Sequence, residues 1–293
     1  MTDVYLTDKK IPFDVALYGL VKLMEKRCTQ NKPKWDNILN IEGVEGIGKT
    51  TLAITVGYIV GKDTGRKFSE ANLFTDVDSG IKFAQSTKEQ IIIFDEPSSD
   101  ALSIEFRNKI QINLIKLFMQ VRKRRHFIIF CLTKFYKFAE YIVVDRPVGM
   151  IHLYANENNK PCWVYIPNRY LEALYNDYKF KKQRNYRKYM TIHGYFVDIL
   201  DPDLSYNILD EFNLEQYEKN KDLGIEMIGK KKKQELELTE AKKIKIKIGK
   251  LRPSKKNPID SIQKLCKMLG ITKPTYYEWL KESKNDKNND GDE

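Results

Sequence analysis

The stretch GVEGIGKTT, Gly43 to Thr51, matches the pattern G-x-x-x-x-G-K-[ST] in its first eight residues. The residues that lead into it, Asp36 to Gly43, are predicted to form a short strand, and Thr50 to Val60 a helix. A strand followed by a glycine-rich turn and a helix is the setting in which this pattern binds phosphate. The sequence therefore predicts an α/β fold built around a phosphate-binding loop.

The residues of this loop suit a polyphosphate, which concentrates negative charge at one place. Glycines let backbone N–H groups turn inward, and the positive end of the following helix adds to the attraction. We expect Lys49 to reach the β- and γ-phosphates, the Thr50 hydroxyl to ligate Mg²⁺, and Thr51 to hold the α-phosphate side. A chance glycine-rich turn is the alternative. The predicted nucleotide-binding residues are Gly43, Val44, Glu45, Gly46, Ile47, Gly48, Lys49, Thr50 and Thr51.

A second part of the site is predicted at QIIIFDEP, Gln90 to Pro97. An apolar run that ends in two acids is typical of a buried parallel strand, and ligands of open α/β sheets bind at the carboxyl ends of such strands. Asp95 is expected to hold the Mg²⁺ shell together with Thr50, and Glu96 to orient and deprotonate the attacking water. A surface turn is the alternative interpretation of D-E-P.

Glu96 also bears on the type of reaction. A kinase of small molecules uses a substrate hydroxyl as its nucleophile and needs no glutamate that activates water. A switch GTPase would carry an N-K-x-D guanine motif, and the sequence contains none. The pair of acids therefore favours a hydrolase that uses ATP for motion or remodelling.

Two further catalytic residues are predicted around the apolar strand Phe127 to Leu132. Thr133 follows this strand, where a polar residue senses the γ-phosphate; a threonine that merely caps the strand is the alternative. Arg124 lies before the strand and is the candidate arginine finger, a residue that stabilises transition-state charge from a neighbouring subunit. Solvated surface charge or a DNA-phosphate contact is the alternative for Arg124 and for the other candidates, Arg107, Arg122, Arg125 and Arg146.

The composition restricts the class of protein. The chain has 293 residues, enough for a sizeable α/β core and a smaller module. It shows no signal-peptide pattern and no apolar run long enough for a membrane span, so no membrane partner is expected. Four widely separated cysteines favour reduced core thiols in the cytoplasm. The net charge of +11 is concentrated near the C-terminus, where such a block is either a solvated tail or a handle for a polyanion.

Residues Ile259 to Glu282 are predicted to form a helix-turn-helix. Ile262, Leu265 and Leu269 line one face of the first helix, Gly270 suits the turn, and Thr272 caps the second helix. A packing αα-hairpin is the alternative, but the basic segment directly upstream favours DNA. The predicted DNA-binding residues are Lys273, Thr275 and Tyr277.

The order of features from Ile41 to about Pro167 resembles the FtsK/HerA-like DNA translocases, especially the zonula-occludens-toxin-like ATPases of phages and other mobile elements. These features are the glycine loop, the D-E strand, a long helix with a basic end, an apolar strand and a hairpin. The loop and the D-E pair are shared by all additional-strand P-loop ATPases, including AAA+ proteins. The resemblance implies a homo-oligomeric ring, with six subunits expected, that pulls or packages DNA.

Together these features predict a RecA-like, additional-strand P-loop sheet flanked by helices, with a small α-helical C-terminal module. The expected organisation is an N-terminal helix (1–36), an ATPase core (37–167), a mainly helical extension (168–225), a basic linker (226–257), a helix-turn-helix (258–284) and a disordered tail (285–293). The expected function is a cytoplasmic Mg-ATP-hydrolysing motor on DNA for a virus, phage or plasmid. An AAA+-like helicase loader or replication ATPase, and an ATP-switched DNA-binding regulator or partition protein, are the alternatives.

Overall fold

The computed structural model describes residues 4–6, 9–11, 13–30, 35–95, 104–195, 199–200, 208, 212–222, 262–269 and 271–278. The chain divides into two compact units, Met1–Ile225 and Glu226–Glu293. The predicted basic linker, the predicted disordered tail and Glu96 lie outside the described residues. Within the described part, no helix combines the length and the apolar character that crossing a bilayer requires.

The first unit is built around a mostly parallel sheet. The strands of the described part are β1 (Val4–Leu6), β2 (Lys9–Ile11), β3 (Asn37–Gly43), β4 (Leu73–Phe74), β5 (Ile91–Asp95), β6 (Phe127–Leu132), β7 (Gly149–Ala155), β8 (Pro161–Pro167) and β9 (Ile192–Tyr195). β1 and β2 form a separate antiparallel pair. The other seven strands form one sheet in the order β4-β5-β6-β3-β7-β8-β9, in which β4 to β7 run parallel and β8 and β9 extend the edge antiparallel.

The helices of the described part are α1 (Val15–Thr29), α2 (Lys49–Thr64), α3 (Val77–Ser86), α4 (Ile104–Gln120), α5 (Asn168–Lys181), α6 (Tyr186–Tyr189), α7 (214–222), α8 (Ile262–Leu269) and α9 (273–278). Helices of the first unit cover both faces of the sheet. On one face, strand residues such as Leu39 and Ile129 share a core with α1 and α2. On the other face, Phe118 of α4 meets Phe130 edge-on, with ring centroids 5.4 Å apart.

The strand order confirms the predicted sheet and brings the predicted site residues to one edge. β6 lies between β3 and β5, so it is the additional strand. Asp95 of β5 pairs in register with Cys131 of β6, and Glu42 of β3 pairs with Leu132. The carboxyl ends of the three strands therefore coincide, and the glycine loop, Asp95 and Thr133 leave the sheet at the same edge.

The apolar pattern from Phe13 to Arg27 predicts a helix with one buried stripe of Val15, Leu17, Leu20, Val21 and Leu23. The structure confirms the helix as α1, but its buried face differs from that stripe. Val15 and Leu23, both expected to be buried, are 48% and 63% exposed. The buried positions are Leu17, Leu20, Val21, Met24, Glu25 and Cys28. This set follows the 3.6-residue period from Leu17 onward, whereas Val15 and Leu23 lie on the opposite side of the helix.

The apolar residues from Ile110 to Val121 recur at helical spacing and predict two stripes on one helix, α4. One stripe is buried and consists of Ile110, Leu114, Leu117 and Phe118, continued by Val121 in the turn that follows. The second stripe is not covered within the described part, since Ile112 is 50% and Met119 is 67% exposed and Ile115 between them is half-buried.

The predicted hairpin is confirmed as β7 and β8, and its turn is closed by the Asn156 N–H, which donates to the Lys160 carbonyl at 3.0 Å. The sequence from Asn168 to Met190 predicts one helix, and the observed helix is shorter. α5 ends at Lys181 because Lys182 adopts a left-handed conformation with φ 57°. The chain then turns back through α6 and adds β9 to the sheet.

In the second unit, α8 and α9 pack through Cys266 and Tyr276, which is 1% exposed. The Thr272 hydroxyl accepts a hydrogen bond from the Thr275 N–H at 3.4 Å at the start of α9, as expected of a cap. The helix-turn-helix and its binding to DNA stay predictions.

Candidate nucleotide-binding site

The glycine loop owes its shape to two of its glycines. Gly48 has φ 93° and caps α2, where its carbonyl accepts the Leu52 N–H at 2.9 Å. At Gly43, a Cβ would lie 2.9 Å from the Leu153 carbonyl oxygen, so no larger residue fits without displacing the backbone. The loop therefore turns sharply from β3 into α2, and the positive amino end of α2 faces it.

Lys49 is the first residue of α2 and is 5% exposed. Its ammonium donates to the Val44 carbonyl at 2.9 Å, so the side chain folds back across the loop. An ammonium held within the loop is suited to neutralising a phosphate group that the loop's N–H groups bind.

Asp95 is the last residue of β5 and accepts hydrogen bonds from the start of α2 and from α7. Its Oδ1 accepts a hydrogen bond from the Thr50 hydroxyl at 2.8 Å, and its Oδ2 accepts one from the Tyr217 hydroxyl at 2.9 Å. Burial, and after it the nearby Asp95 carboxylate, raise the pKa of Tyr217 well above its usual value. The phenol therefore stays protonated and is the donor to Asp95.

These groups surround a cavity of about 300 Å³. One side of the cavity is the start of α2, with the loop glycines and Asp95. The other side is Leu200 and helix α7. The residues that line it are Gly46, Gly48, Lys49, Thr50, Thr51, Ile54, Asp95, Leu200, Leu214, Tyr217, Glu218 and Lys221. The side chains that the sequence assigns to phosphate and metal thus meet in one space, which α7 covers.

The donors in this cavity fit a magnesium ion. Thr50 and Asp95 present hydroxyl and carboxylate oxygens within hydrogen-bonding distance of each other, and Mg²⁺ prefers oxygen ligands. Asp95 is only 3% exposed, so its charge is held at a fixed place beside the loop. Thr50 and Asp95 are therefore the residues that would hold Mg²⁺ with a nucleotide phosphate.

Thr133 and Glu96 are the other catalytic residues predicted at this edge of the sheet. Thr133 directly follows β6, beside the end of β5, but it is not among the described residues that line the cavity. Glu96 follows Asp95 in the sequence and lies outside the described residues. The roles of both residues stay predictions.

The predicted arginine finger lies away from the cavity. Arg124 precedes β6 and so lies at the amino ends of the parallel strands, where its guanidinium donates to the Thr87 carbonyl at 2.9 Å. Its neighbours are also engaged, because Arg122 stacks on Trp35 and Arg125 pairs with Glu89 at 3.0 Å. Within one chain Arg124 therefore cannot act on the loop, and a role from a neighbouring subunit stays a prediction.

The predicted DNA-binding residues lie on the surface of the second unit. Lys273 and Tyr277 are exposed, Tyr277 by 49%, and Thr275 is half-buried. Thr275 also shares a hydrogen bond with Thr272, with oxygens 2.8 Å apart, so its hydroxyl helps to hold the start of α9.

Sequence reasoning missed the contribution of α7. Tyr217 lies 122 positions after Asp95, and no motif or spacing connects the two. The only available signal was a run of helix-forming residues after Phe212, which predicts a helix but not its place over the loop.

A scan against models of protein families gives no match, and a search of curated proteins gives none. Among solved structures, a KaiC-like protein from Pyrococcus horikoshii is similar over 46% of this chain and 79% of its own, with 17% identity and a TM-score of 0.34. The N-terminal domain of zonular occludens toxin from Neisseria meningitidis is similar over 45% and 84%, with 15% identity and a TM-score of 0.32. The DnaC helicase loader is similar over 43% and 75%, with 17% identity and a TM-score of 0.28.

Similarities at this level do not establish the fold or the reaction of this chain. The strand order, the glycine loop and the contact between Thr50 and Asp95 are themselves those of a P-loop nucleotide-binding fold.

Proposed function

We propose that the chain binds Mg-ATP in the cavity beneath α7 and hydrolyses it. The observation that carries the proposal is that Lys49, Thr50 and Asp95 meet at the carboxyl edge of a parallel sheet, around a cavity that opens on the amino end of α2. A fixed ammonium, a ring of N–H groups and a pair of oxygen ligands are the groups that a nucleoside triphosphate with magnesium requires.

In this proposal the loop and Lys49 bind the phosphates. Glu96 orients and deprotonates the attacking water, and Thr133 contacts the γ-phosphate from the end of β6. When bound between Thr50 and Asp95, Mg²⁺ would supply neutralisation of phosphate charge. Arg124 of a neighbouring subunit is the proposed finger.

We further propose that hydrolysis drives movement or packaging of DNA by a ring of identical subunits. The net charge of +11 and the two helices α8 and α9 support DNA as the partner. The exposed stripe of Ile112, Ile115 and Met119 supports self-association, because an uncovered apolar stripe on a helix is suited to a contact with another subunit.

Steady-state ATP hydrolysis, measured with no DNA, with long duplex DNA and with long single-stranded DNA, tests this function. We expect DNA to stimulate turnover strongly, and Glu96→Gln to remove turnover while leaving ATP binding intact. Turnover that DNA does not change, with DNA binding intact, would overturn the motor. A requirement for a partner helicase would then favour a loader, and slow turnover with preference for one DNA sequence would favour a regulator.

A further inference from the structure

A second cavity, of about 280 Å³, lies beside α6 and shares no lining residue with the nucleotide site. His152 and Tyr154 of β7 line it from the sheet. Arg184, from the loop before α6, and Tyr186 and Arg187 of α6 line the opposite side. The cavity thus combines aromatic rings with guanidinium groups.

The rings form a fixed, nearly parallel row. Tyr186 stacks on His152 with centroids 3.6 Å apart and planes 9° apart, and Tyr154 lies on the same strand with its centroid 6.2 Å from His152 at 9°. The buried Glu42 carboxylate holds the row, since it contacts the His152 Nδ1 at 2.5 Å and accepts the Tyr186 hydroxyl at 3.3 Å. Burial and this carboxylate raise the pKa of Tyr186, so its hydroxyl remains a donor.

The surface around the row is positively charged. Residues 168–195 contain seven Lys and Arg against two acids, an excess of five, and seven aromatic residues interleave with them. Lys181 and Lys188 both form ion pairs with Asp177, at 3.1 and 3.2 Å. Arg184 and Arg187 take part in none of the ion pairs found among the described residues. Arg184 also lies over the Tyr178 ring, 5.2 Å from its centroid, and both arginines are exposed, so their charge is accessible to a phosphate.

We propose that this cavity binds a single strand of nucleic acid, with a base against the row of Tyr154, His152 and Tyr186 and phosphates at Arg184 and Arg187. Stacking on fixed aromatic rings beside a positively charged groove is how proteins bind single strands without regard to sequence. The proposal rests on the proposed function, because it specifies the form of nucleic acid on which the ATPase acts.

A duplex does not satisfy this cavity. Its bases are stacked inside the helix and present no ring face to a protein cavity, so a duplex would engage the arginines and leave the rings unused. A cavity of about 280 Å³ also admits one nucleotide unit rather than a double helix.

The cavity is also linked to the nucleotide site. Glu42 directly precedes Gly43, the first residue of the glycine loop, and it is the residue that holds both His152 and Tyr186. The cavity and the glycine loop are therefore held by consecutive residues of β3.

Fluorescence anisotropy of a labelled oligonucleotide, offered as a single strand and as a hairpin duplex, tests the proposal. The full chain is used with Lys273→Ala and Tyr277→Ala, so that the predicted contacts of α9 do not dominate. We expect the single strand to bind more tightly than the duplex. Tyr154→Ala should weaken single-strand binding by about tenfold, because one stacking contact is lost, and Tyr154→Phe should not.

Removing the arginines tests the phosphate contacts separately. Arg184→Ala with Arg187→Ala should lower the slope of log affinity against log salt by about 1.4, or about 0.7 for each phosphate contact on a single strand. Lys26→Ala with Lys82→Ala removes the same charge from exposed positions on α1 and α3 and should leave the slope unchanged. Circular dichroism confirms that each variant is folded.

Equal affinity for both DNA forms, or no loss in Tyr154→Ala, would each overturn the proposal. If DNA stimulates ATPase turnover but these variants leave single-strand binding unchanged, the motor function is supported and the cavity is not its DNA-binding site. If the variants lose single-strand binding but DNA does not change turnover in the unmodified chain, the cavity is supported as a binding site and the motor function is contradicted.

Discussion

Lys49 is the residue whose chemistry is most closely tied to nucleotide binding. Its ammonium lies within the glycine loop and has the Val44 carbonyl as a partner. We expect Lys49→Ala to weaken Mg-ATP binding by about a hundredfold, since hydrogen bonds to charged groups contribute about 1.5–3 kcal/mol each. Titration with a fluorescent nucleotide measures the change.

The control for this variant is Lys62→Ala, which removes an exposed lysine from the same helix. Lys62→Ala should bind nucleotide as the unmodified chain does. Unchanged affinity in Lys49→Ala would show that the glycine loop is not the phosphate site.

A second prediction about a single residue concerns Tyr217. Its hydroxyl donates a hydrogen bond to Asp95 Oδ2. The water shell of a bound magnesium ion would lie next to this oxygen. Tyr217→Phe keeps the packing and removes this donor, so we expect Mg-ATP to bind up to about tenfold more tightly, as one hydrogen bond to a charged acceptor no longer competes. Affinity for ATP in EDTA should not change.

Tyr165→Phe is the matched control, because it removes another buried tyrosine hydroxyl, one that donates to the Val148 carbonyl at 3.1 Å. Weaker Mg-ATP binding in Tyr217→Phe would contradict the account and indicate that the hydroxyl supports the metal site.

The site residues differ in how far the sequence predicts them. Lys49 and Thr50 follow from a local motif, because the loop and the helix start are formed by consecutive residues. Asp95 follows from an apolar strand, since the end of such a strand has a defined place in a parallel sheet. Tyr217 depends on where a distant helix docks, and no periodicity of residues 199–222 encodes that position.

Among the elements, α1 carries a pH-sensitive contact with α2. Lys22 lies 2.8 Å from Asp63 and 3.3 Å from Glu25, so two carboxylates share one ammonium. Burial, and after it the charge of Asp63, raise the pKa of Glu25 from 4.5 to about 7. Between these values the folded chain binds a proton that the unfolded chain releases, so this contact loses stability as the pH rises.

As the pH rises from 4.5 to 7, we expect the loss of the Glu25 proton to lower the free energy of unfolding by at most about 3 kcal/mol. Glu25→Gln should remove that dependence and gain stability relative to the unmodified chain as the pH rises to 8. Urea unfolding of both chains at pH 5 and pH 8 measures the difference. A stability difference that does not vary with pH would contradict a raised pKa at Glu25.

The elements themselves were largely predictable where hydrophobic period and length agree, as in β3, β5, β6 and α4. The end of α5 was not. Residues Lys181 to Arg184 are good helix formers, and nothing in them indicates that Lys182 takes a left-handed conformation. The chain after the break returns to the sheet as β9 beside β8, a tertiary contact that local propensity does not encode.

For the whole molecule, the exposed stripe of α4 predicts self-association. Ile112→Glu with Met119→Glu should shift the chain to smaller species in sedimentation velocity, because charge replaces apolar contact area. Val15→Glu with Leu23→Glu alters exposed apolar residues of α1 and should leave assembly intact. Assembly that survives the α4 variants would place the subunit contact elsewhere.

The overall architecture follows from the sequence in part. The order of the parallel strands agrees with a glycine loop, an acidic strand and an additional strand between them. The antiparallel extension by β9 and the placement of α7 over the loop arise from contacts between distant segments, which composition and periodicity do not record.

The measurement that tests the central claim most directly is ATP-driven displacement of a protein roadblock from long DNA, offered as duplex and as single strand. The account predicts displacement in the presence of ATP on at least one of the two forms, a delay that grows with the distance to the roadblock, and no displacement by Glu96→Gln. ATP hydrolysis and DNA binding without displacement on either form would contradict the claim that this P-loop chain is a motor.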